Sequence, residues 1–483
     1  MQRKTRKIIF GDNLEVMREM KAGSINIIAT DPPFNSGRDY NIFLPDSEAQ
    51  NKAFKDIWSW DDTAINTRAW IEDQAVGNSQ YDALNRALTG YDYILDHAVK
   101  GPRAKMRSYL AFMGPRLVEM HRLLKDTGTL YLHCDPSASH YLKGMLDVIF
   151  DKQNFLNEIV WCYRGGGVPG NAFARKHDLI LCYGKKAKNK ENKFYKQFVP
   201  YSEASEALVK KRNGKTIAGN ELDLERGGSM PDWWIDINSL QTWSPERLKY
   251  PTQKPRRLYE RILISSSDEG DIVLDPFCGC GTTIDAAEEL GRQWIGIDIT
   301  NLAIEPMRKR LRDNHGLIKD KDYQIFGYPT NMQEVQKMLD DKKYHDYANW
   351  AIAQIGLYPT KNVGDGGIDG IGQAVTWQAD TMTKTRKKIV AEVKSGPMSK
   401  TQVRAFCHSM NEFDAIAGVI ITLQSPTKAM REYQEKEGKF EHNGKKYHRL
   451  QIWQIDDRYF NDPMSIKHLA KHCLLYTSPS PRD

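Results

Sequence analysis

Cysteine is scarce and scattered. The 7 cysteines in 483 residues (Cys134, Cys162, Cys182, Cys278, Cys280, Cys407 and Cys473) are odd in number and share no repeated spacing, which excludes a disulfide framework. Only Cys278 and Cys280 lie close together, and one intervening residue with no second pair argues against zinc. No apolar run reaches the length of a membrane span, and the basic N-terminus is followed by no apolar signal core. The expectation is a reducing cytoplasm and no membrane. Neither sign of charge dominates: Lys+Arg 69 against Asp+Glu 62 gives +7, a mild basic excess that suits nucleic acid without requiring it. The length is ample for two or three domains with cores of their own.

Against these absences two stretches stand out. Ser24-Ile-Asn-Ile-Ile-Ala-Thr30 is apolar and β-branched, the pattern of a buried parallel strand, and Asp31-Pro32-Pro33-Phe34 follows it. The prolines cannot donate to a sheet ladder, so the strand stops there and Asp31 stands on a stiff loop at its carboxyl end. A carboxylate, a fixed carbonyl and an aromatic face suit the grip of a planar exocyclic amino group. The plainer reading is a Pro-Pro turn with an exposed Asp and a core Phe.

The second stretch, Asp271-Ile-Val-Leu-Asp275-Pro276-Phe277-Cys278-Gly279-Cys280-Gly281-Thr282-Thr283, reads as strand, glycine-rich turn and helix from Thr282 to about Leu290. Trp294–Asp298 is the next strand and ends in a carboxylate suited to ribose hydroxyls. The turn has no Walker lysine and no complete GxGxxG, which argues for a nucleoside ligand without phosphates. Upstream, Lys7–Phe10 reads as a strand closed by Gly11-Asp12, with a helix from about Leu14 to Met20. Asp12 is either a ligand contact or a helix N-cap.

Between them the chain is less regular. Residues 36–102 are polar and aromatic-rich with little periodicity, and Tyr40, Trp58, Trp60 and Trp70 either stack on bases or anchor a loop. Met106, Leu110, Met113, Leu117, Met120 and Leu124 recur at helical spacing and predict a core-facing helix, followed by a strand over Gly128–His133 and a helix to about Phe150. Residues 154–250 are irregular around one apolar strand, Leu179–Tyr183, with Gly165-Gly166-Gly167 and a basic run from Lys185 to Lys196. That run suits either DNA contact or a solvated face.

After about Met338 the pattern changes. A helix over Trp350–Gly356, the glycine-rich Gly364–Gly370, the strand Lys388–Ser395, a helix near Lys400–Phe413 and the strand Gly418–Thr422 make an αβ core. On the middle strand Glu392 and Lys394 share a face, and with Asp369 upstream they suit a divalent cation and a positioned water. The plainer reading is a solvated Glu-Lys strand face. Leu474–Asp483 fits no element and looks like a non-native tail of translated adapter sequence.

Together, Asp31-Pro-Pro-Phe34 and Asp275-Pro-Phe-Cys-Gly-Cys-Gly281 resemble an amino-group DNA methyltransferase of the β class, in which the catalytic motif precedes the cofactor motif. The resemblance spans about residues 1–315 and implies an α/β, Rossmann-like fold that uses S-adenosyl-L-methionine. Asp31, Pro32, Pro33 and Phe34 would be catalytic. Asp12 would meet the cofactor's adenine, Asp298 its ribose, and the loop Asp275, Pro276, Phe277, Gly279, Gly281 and Thr282 its methionine end. Thr252-Gln253-Lys254-Pro255 resembles the element before that loop and makes Lys254 a cofactor contact. Residues 154–250 would hold the target-recognition region.

The C-terminal stretch resembles the PD-(D/E)xK restriction-endonuclease-like fold. That implies a second, smaller α/β domain holding magnesium on Asp369 and Glu392, with Lys394 catalytic. Ile368 stands where the usual Pro would, and Gln354 where some members carry a helical Glu. The expected division is a methyltransferase over 1–335 and a nuclease-like domain over 336–473. Double-stranded DNA is the expected partner, and a homodimer is admissible. The function implied is restriction–modification with adenine N6 as the methylated atom. The alternatives are a solitary methyltransferase whose second domain only binds DNA, and a DNA-binding protein without turnover.

Overall fold

The apolar runs become two separate sheets in the computed structural model. It describes residues 5–456 except 35–39, 43–50, 55–57, 59, 166–168, 202–206, 208–210, 212–224, 242, 249–251, 300, 356, 360–366, 379–382 and 443–444. The first three residues of Gly364–Gly370, two residues of the triple glycine, Cys473 and the tail from Leu474 therefore lie outside the described residues. The chain divides into two compact units, Met1–Asp39 with Phe54–Ile325, and Tyr40–Ala53 with Phe326–Asp483. No described helix is long and apolar enough to cross a membrane.

In the first unit the strands are β1 (Arg6–Phe10), β2 (Ile25–Thr30), β3 (Leu124–Cys134), β4 (Phe155–Cys162), β5 (His177–Gly184), β6 (Trp233–Trp234), β7 (Ile272–Asp275), β8 (Gln293–Asp298) and β9 (Gln324–Phe326). They form one sheet in the order β6-β4-β5-β3-β2-β7-β8-β1-β9. Strands β3, β2, β7, β8 and β1 run parallel, and β5 pairs antiparallel with both β3 and β4. From β2 the chain passes outward to β3, whereas from β7 it passes outward to β8 on the other side. The order therefore reverses between β2 and β7, and at such a switch point the carboxyl-end loops open a crevice. All six residues of β2 are buried, as its unbroken apolar pattern requires of a central strand. The helix Gly101–Leu123 covers the sheet with Leu110, Met113, Leu117 and Met120 in the core, as their spacing predicts.

One expectation fails here. Residues 36–102 contain two helices, Asp62–Ala75 and Ser79–Ile94, where little periodicity was legible. Their seam is partly polar: buried Arg68 donates to Asn85 Oδ1 (2.5 Å), Thr89 Oγ1 (2.8 Å) and Asp92 Oδ2 (3.3 Å). An arginine at a core-facing position breaks the apolar stripe that periodicity detects. The basic run, open between DNA contact and a solvated face, is engaged largely within the protein. Lys185 donates to Leu124 O (2.7 Å), Lys186 pairs with Asp126 (2.6 Å), Lys188 with Asp151 (2.8 Å), and Lys193 with Asp268 (2.6 Å) and Asp271 (2.7 Å). Because β5 is antiparallel to β3, the run leaves Gly184 at the amino end of β3, opposite the crevice.

In the second unit β10 (Tyr358–Pro359), β11 (Gly370–Gln378), β12 (Thr383–Lys394), β13 (Ala415–Thr422) and β14 (Leu450–Gln454) form a sheet in that order. Central β12 pairs antiparallel with β11 and parallel with β13. The helix Lys400–Glu412, closed by a Ser399–Gln402 capping box, lays Val403, Phe406 and Met410 on β13. Contact is so close that a Cβ on Gly418 would stand 2.6 Å from Met410 Sδ and 2.8 Å from Phe406 Cε1. Gly418→Ala should therefore destabilise this unit by about 1–3 kcal/mol. A urea midpoint unchanged from wild type would show that the helix is not pressed on the strand there.

Candidate active site

Thr30 and Asp275 end neighbouring parallel strands, and the Thr30 hydroxyl donates to Asp275 Oδ1 at 2.7 Å. Asp275 also accepts from the Phe277 N–H (3.1 Å), which turns the loop after β7 back over its own strand. Burial pushes the Asp275 carboxyl up to about 7; its bonds to Thr283, Thr30 and the Phe277 N–H oppose this, and the charge of Asp31 adds to it. One residue beyond Thr30, Asp31 Oδ2 accepts from Lys254 Nζ at 2.7 Å. Asp31 Oδ1 is buried and has no hydrogen-bond partner among the described residues. The Lys254 ammonium also sits 4.5 Å from the centre of the Phe34 ring, and that ring lies 5.4 Å from His133. His133 Nε2 stands 3.0 Å from Asp178 Oδ2, and the Tyr163 hydroxyl donates to Asp178 Oδ1 at 3.1 Å. Burial raises the Asp178 carboxyl, but His133, Lys254 and Tyr163 outweigh it and hold the group below its ordinary range.

On the other side of the crevice, the Gly279 N–H donates to Asp298 Oδ2 (2.8 Å), tying the glycine turn to the end of β8. Gly281 has φ +76°, and a Cβ there would lie 2.6 Å from Met307 Cγ, so both conformation and space require glycine. Asp12 caps the helix Asn13–Glu19 through Leu14 N–H (2.8 Å), and its two oxygens accept from Arg116 at 3.1 and 2.8 Å. Arg116 also donates to Asn13 Oδ1 (2.6 Å), whose amide donates to Pro276 O (2.6 Å). Burial lowers the Arg116 guanidinium to about 10 despite Asp12 beside it. Thr282 is turned inward, its hydroxyl accepting from Arg310 at 3.0 Å. Cys278 and Cys280 are buried thiols pushed upward by desolvation, which fits packing and not reactivity.

In the second unit Lys394 Nζ pairs with Glu392 Oε1 at 2.6 Å, so the two do share a strand face. Glu392 Oε2 is buried without a hydrogen-bond partner among the described residues. Burial raises the Glu392 carboxyl; Lys394 opposes this and Asp369 adds to it. Asp369 Oδ2 accepts from Val393 N–H (2.7 Å), which fixes that carboxylate beside the strand. Gln354 donates to the Tyr328 hydroxyl.

A DNA methylase family model matches residues 25–309, and a restriction endonuclease model matches residues 345–441. The chain belongs to the DNA methylase family. Type II methyltransferase M.HpaI of Haemophilus parainfluenzae is 27% identical over 282 residues, covering 58% of this chain and 83% of that protein. DNA adenine methyltransferase YhdJ of Escherichia coli (strain K12) is 26% identical over 313 residues, covering 63% and 82%. Among solved structures, PvuII DNA methyltransferase (cytosine-N4-specific) is similar over 65% of this chain and 91% of its own, at 14% identity and a TM-score of 0.38. This methylase therefore carries a restriction-endonuclease-like segment behind its methylase region, in an α/β fold.

The methylase brings its candidate residues together in three groups. Asp31, Phe34, Lys254 and Asp275 meet at the β2–β7 switch point, with Pro32 buried and Pro33 half-buried in the same loop. Asp12, Pro276, Gly279 and Asp298 line the ends of β1, β7 and β8. Glu392 and Lys394 lie on β12, and Asp369, one residue before β11, is bonded to the same strand through Val393 N–H. Lys254, expected at the cofactor, is bonded to Asp31. Trp58 packs on Tyr109 and Phe112, Trp60 on Arg107, and Trp70 on Tyr81 and Arg18, so all three anchor the protein. The side chain of Tyr40 lies outside the described residues. Sequence reasoning missed Arg116, Asn13, His133, Asp178 and Tyr163. The available signal for Arg116 was an arginine directly before Leu117, one of the core positions of that helix.

Proposed function

We propose that the methylase transfers a methyl group from S-adenosylmethionine to the exocyclic amino group of a base flipped out of double-stranded DNA, adenine N6 in preference to cytosine N4. The observation that carries this reading is the juxtaposition at β2 and β7. There, a catalytic-loop carboxylate with one free buried oxygen stands one strand away from a glycine loop, joined to it through the Thr30–Asp275 bond. The donor set fits the cofactor: carboxylates at Asp12 and Asp298 suit the base and sugar, and a glycine turn without a basic residue suits a sulfonium nucleoside and not a phosphate. When bound, that cofactor supplies an electrophilic methyl group.

The protein's own task is to prepare the amino nitrogen, a poor nucleophile because its lone pair is delocalised into the ring. Asp31 and the Pro32 carbonyl accept its two hydrogens, which favours a pyramidal nitrogen with its lone pair directed at the methyl. Phe34 stacks on the extruded base.

Adenine is favoured because Asp opens the motif here, whereas cytosine-N4 members of the family it resembles more often carry Ser. The name of YhdJ, a DNA adenine methyltransferase, agrees. Digesting methylated DNA to nucleosides should release N6-methyladenine. N4-methylcytosine without it would overturn the adenine assignment, and no methylation of any DNA would overturn the whole reading.

We read the C-terminal unit as a magnesium-dependent DNA nuclease. Asp369 and Glu392 would hold the ion, which needs only one or two carboxylates beside phosphate oxygens, and the unpartnered Glu392 Oε2 fits that role. Bound there, magnesium would lower the pKa of a water and offset charge on the scissile phosphate.

A further inference from the structure

Lys254 lies 223 positions after Asp31 and, among the described residues, donates to its carboxylate. Its own turn is tightly built. Thr252 adopts φ +59°, Gln253 bridges Leu248 N–H and Glu246 O at 2.8 Å each, and the Arg256 N–H donates to Glu246 Oε1 at 2.7 Å. A β-branched residue at positive φ is strained, and the Gln253 and Glu246 bonds are what hold it there. The result delivers a buried ammonium to the crevice, 2.7 Å from Asp31 Oδ2 and 4.5 Å from the centre of the Phe34 ring. An unpaired cation there would be costly, so the turn is built for the pair and not for solvent.

We propose that Lys254 is a positioning residue for methyl transfer: it holds Oδ2 of Asp31 and leaves Oδ1 as the acceptor for the target amino group. The proposal rests on the reading of Asp31 given above. The titratable groups facing Asp31 are Asp275 from β7, Cys134 from β3 and Tyr259 from the helix Arg256–Ser266. Burial pushes the thiol and the phenol up, so both stay neutral and bring no charge to Asp31. With Oδ2 engaged by the ammonium, Oδ1 presents an acceptor to an amino group that is itself a donor.

The consequence separates this role from a cofactor contact. Lys254→Met should lower kcat about tenfold or more at saturating cofactor, while the calorimetric Kd for S-adenosylmethionine stays within about twofold. Lys254→Arg, which keeps a charged donor for Asp31, should recover part of the lost kcat, and it carries the test if the Met variant no longer binds cofactor. A Kd that rises in step with the loss of kcat/KM, with kcat unchanged, would overturn the role and return Lys254 to the cofactor. A Lys254→Arg variant as slow as Lys254→Met at saturating cofactor would also overturn it. A wild-type chain that methylates no DNA would overturn the reading of Asp31 and this proposal together.

Discussion

Asp31→Ala should abolish methyl transfer while S-adenosylmethionine still binds in calorimetry. Asp31 belongs to the loop after β2, whereas the candidate cofactor contacts Asp298, Gly279 and Pro276 sit on β8 and the loop after β7. Its link to that side runs through Thr30 and the buried Asp275, and the substitution leaves the Thr30–Asp275 bond in place. What it removes is the free Oδ1 and the partner of Lys254. The first loss acts on the transition state alone, since a neutral methyl side chain accepts no amino hydrogen. The second leaves a buried ammonium without its counter-ion, so some loss of stability should accompany the change. Asp31→Asn controls for that by keeping the shape and one carbonyl oxygen. A variant retaining even a tenth of wild-type turnover, a loss of only about 1.4 kcal/mol, would show that the assigned role is wrong.

Much of this architecture is written in short stretches, and those stretches were legible. The β2 pattern, the proline stop, the glycine turn and the strand-terminal carboxylates each arise from residues within a few positions of one another, where sterics and periodicity act directly. What escaped is long-range or polar. The Arg116–Asp12 contact joins residues 104 apart, and the Lys254–Asp31 pair joins residues 223 apart. No local rule couples such positions, and only the closure of the sheet brings them together. The helices Asp62–Ala75 and Ser79–Ile94 were hidden because Arg68 and Asp92 carry part of their seam, and Arg107 adds a further 2.6 Å bond to the same Asp92. Polar packing of this kind reads as a loop in a hydrophobicity pattern. The lysines after β5 were legible as charge, but the acids that neutralise them come from β3 and the segment before β7. In the second unit the parity of β12 put Glu392 and Lys394 on one face, as found, whereas Asp369 enters through Val393 N–H, a backbone contact no sequence pattern announces.

Lys394→Ala should eliminate magnesium-dependent cutting, by about a hundredfold or more, and leave methylation near wild type. Two carboxylates drawn to one point repel each other, and a cation between them relieves the repulsion. Glu392 already shows the strain of such a site: burial and Asp369 raise its carboxyl, and Lys394 is the charge that opposes them at 2.6 Å. Were magnesium held by Asp369 and Glu392, it would supply an activated water, and the Lys394 ammonium would stabilise the attacking hydroxide; alanine removes that donor while leaving both carboxylates in the chain. Alanine also leaves Glu392 buried with less compensation, so its carboxyl should rise further and metal affinity should weaken at neutral pH. Lys394→Arg separates the two effects, because it keeps the charge beside Glu392 while changing the shape presented to the water. Methylation is the internal control, since Asp31 and Lys254 belong to the other unit. Tethering to a sequence-reading methylase would supply local concentration, so the nuclease needs little specificity of its own. A wild-type chain that never nicks unmethylated target DNA in magnesium or manganese, with or without cofactor, would leave the second unit a DNA-binding fold and the methylase a solitary enzyme.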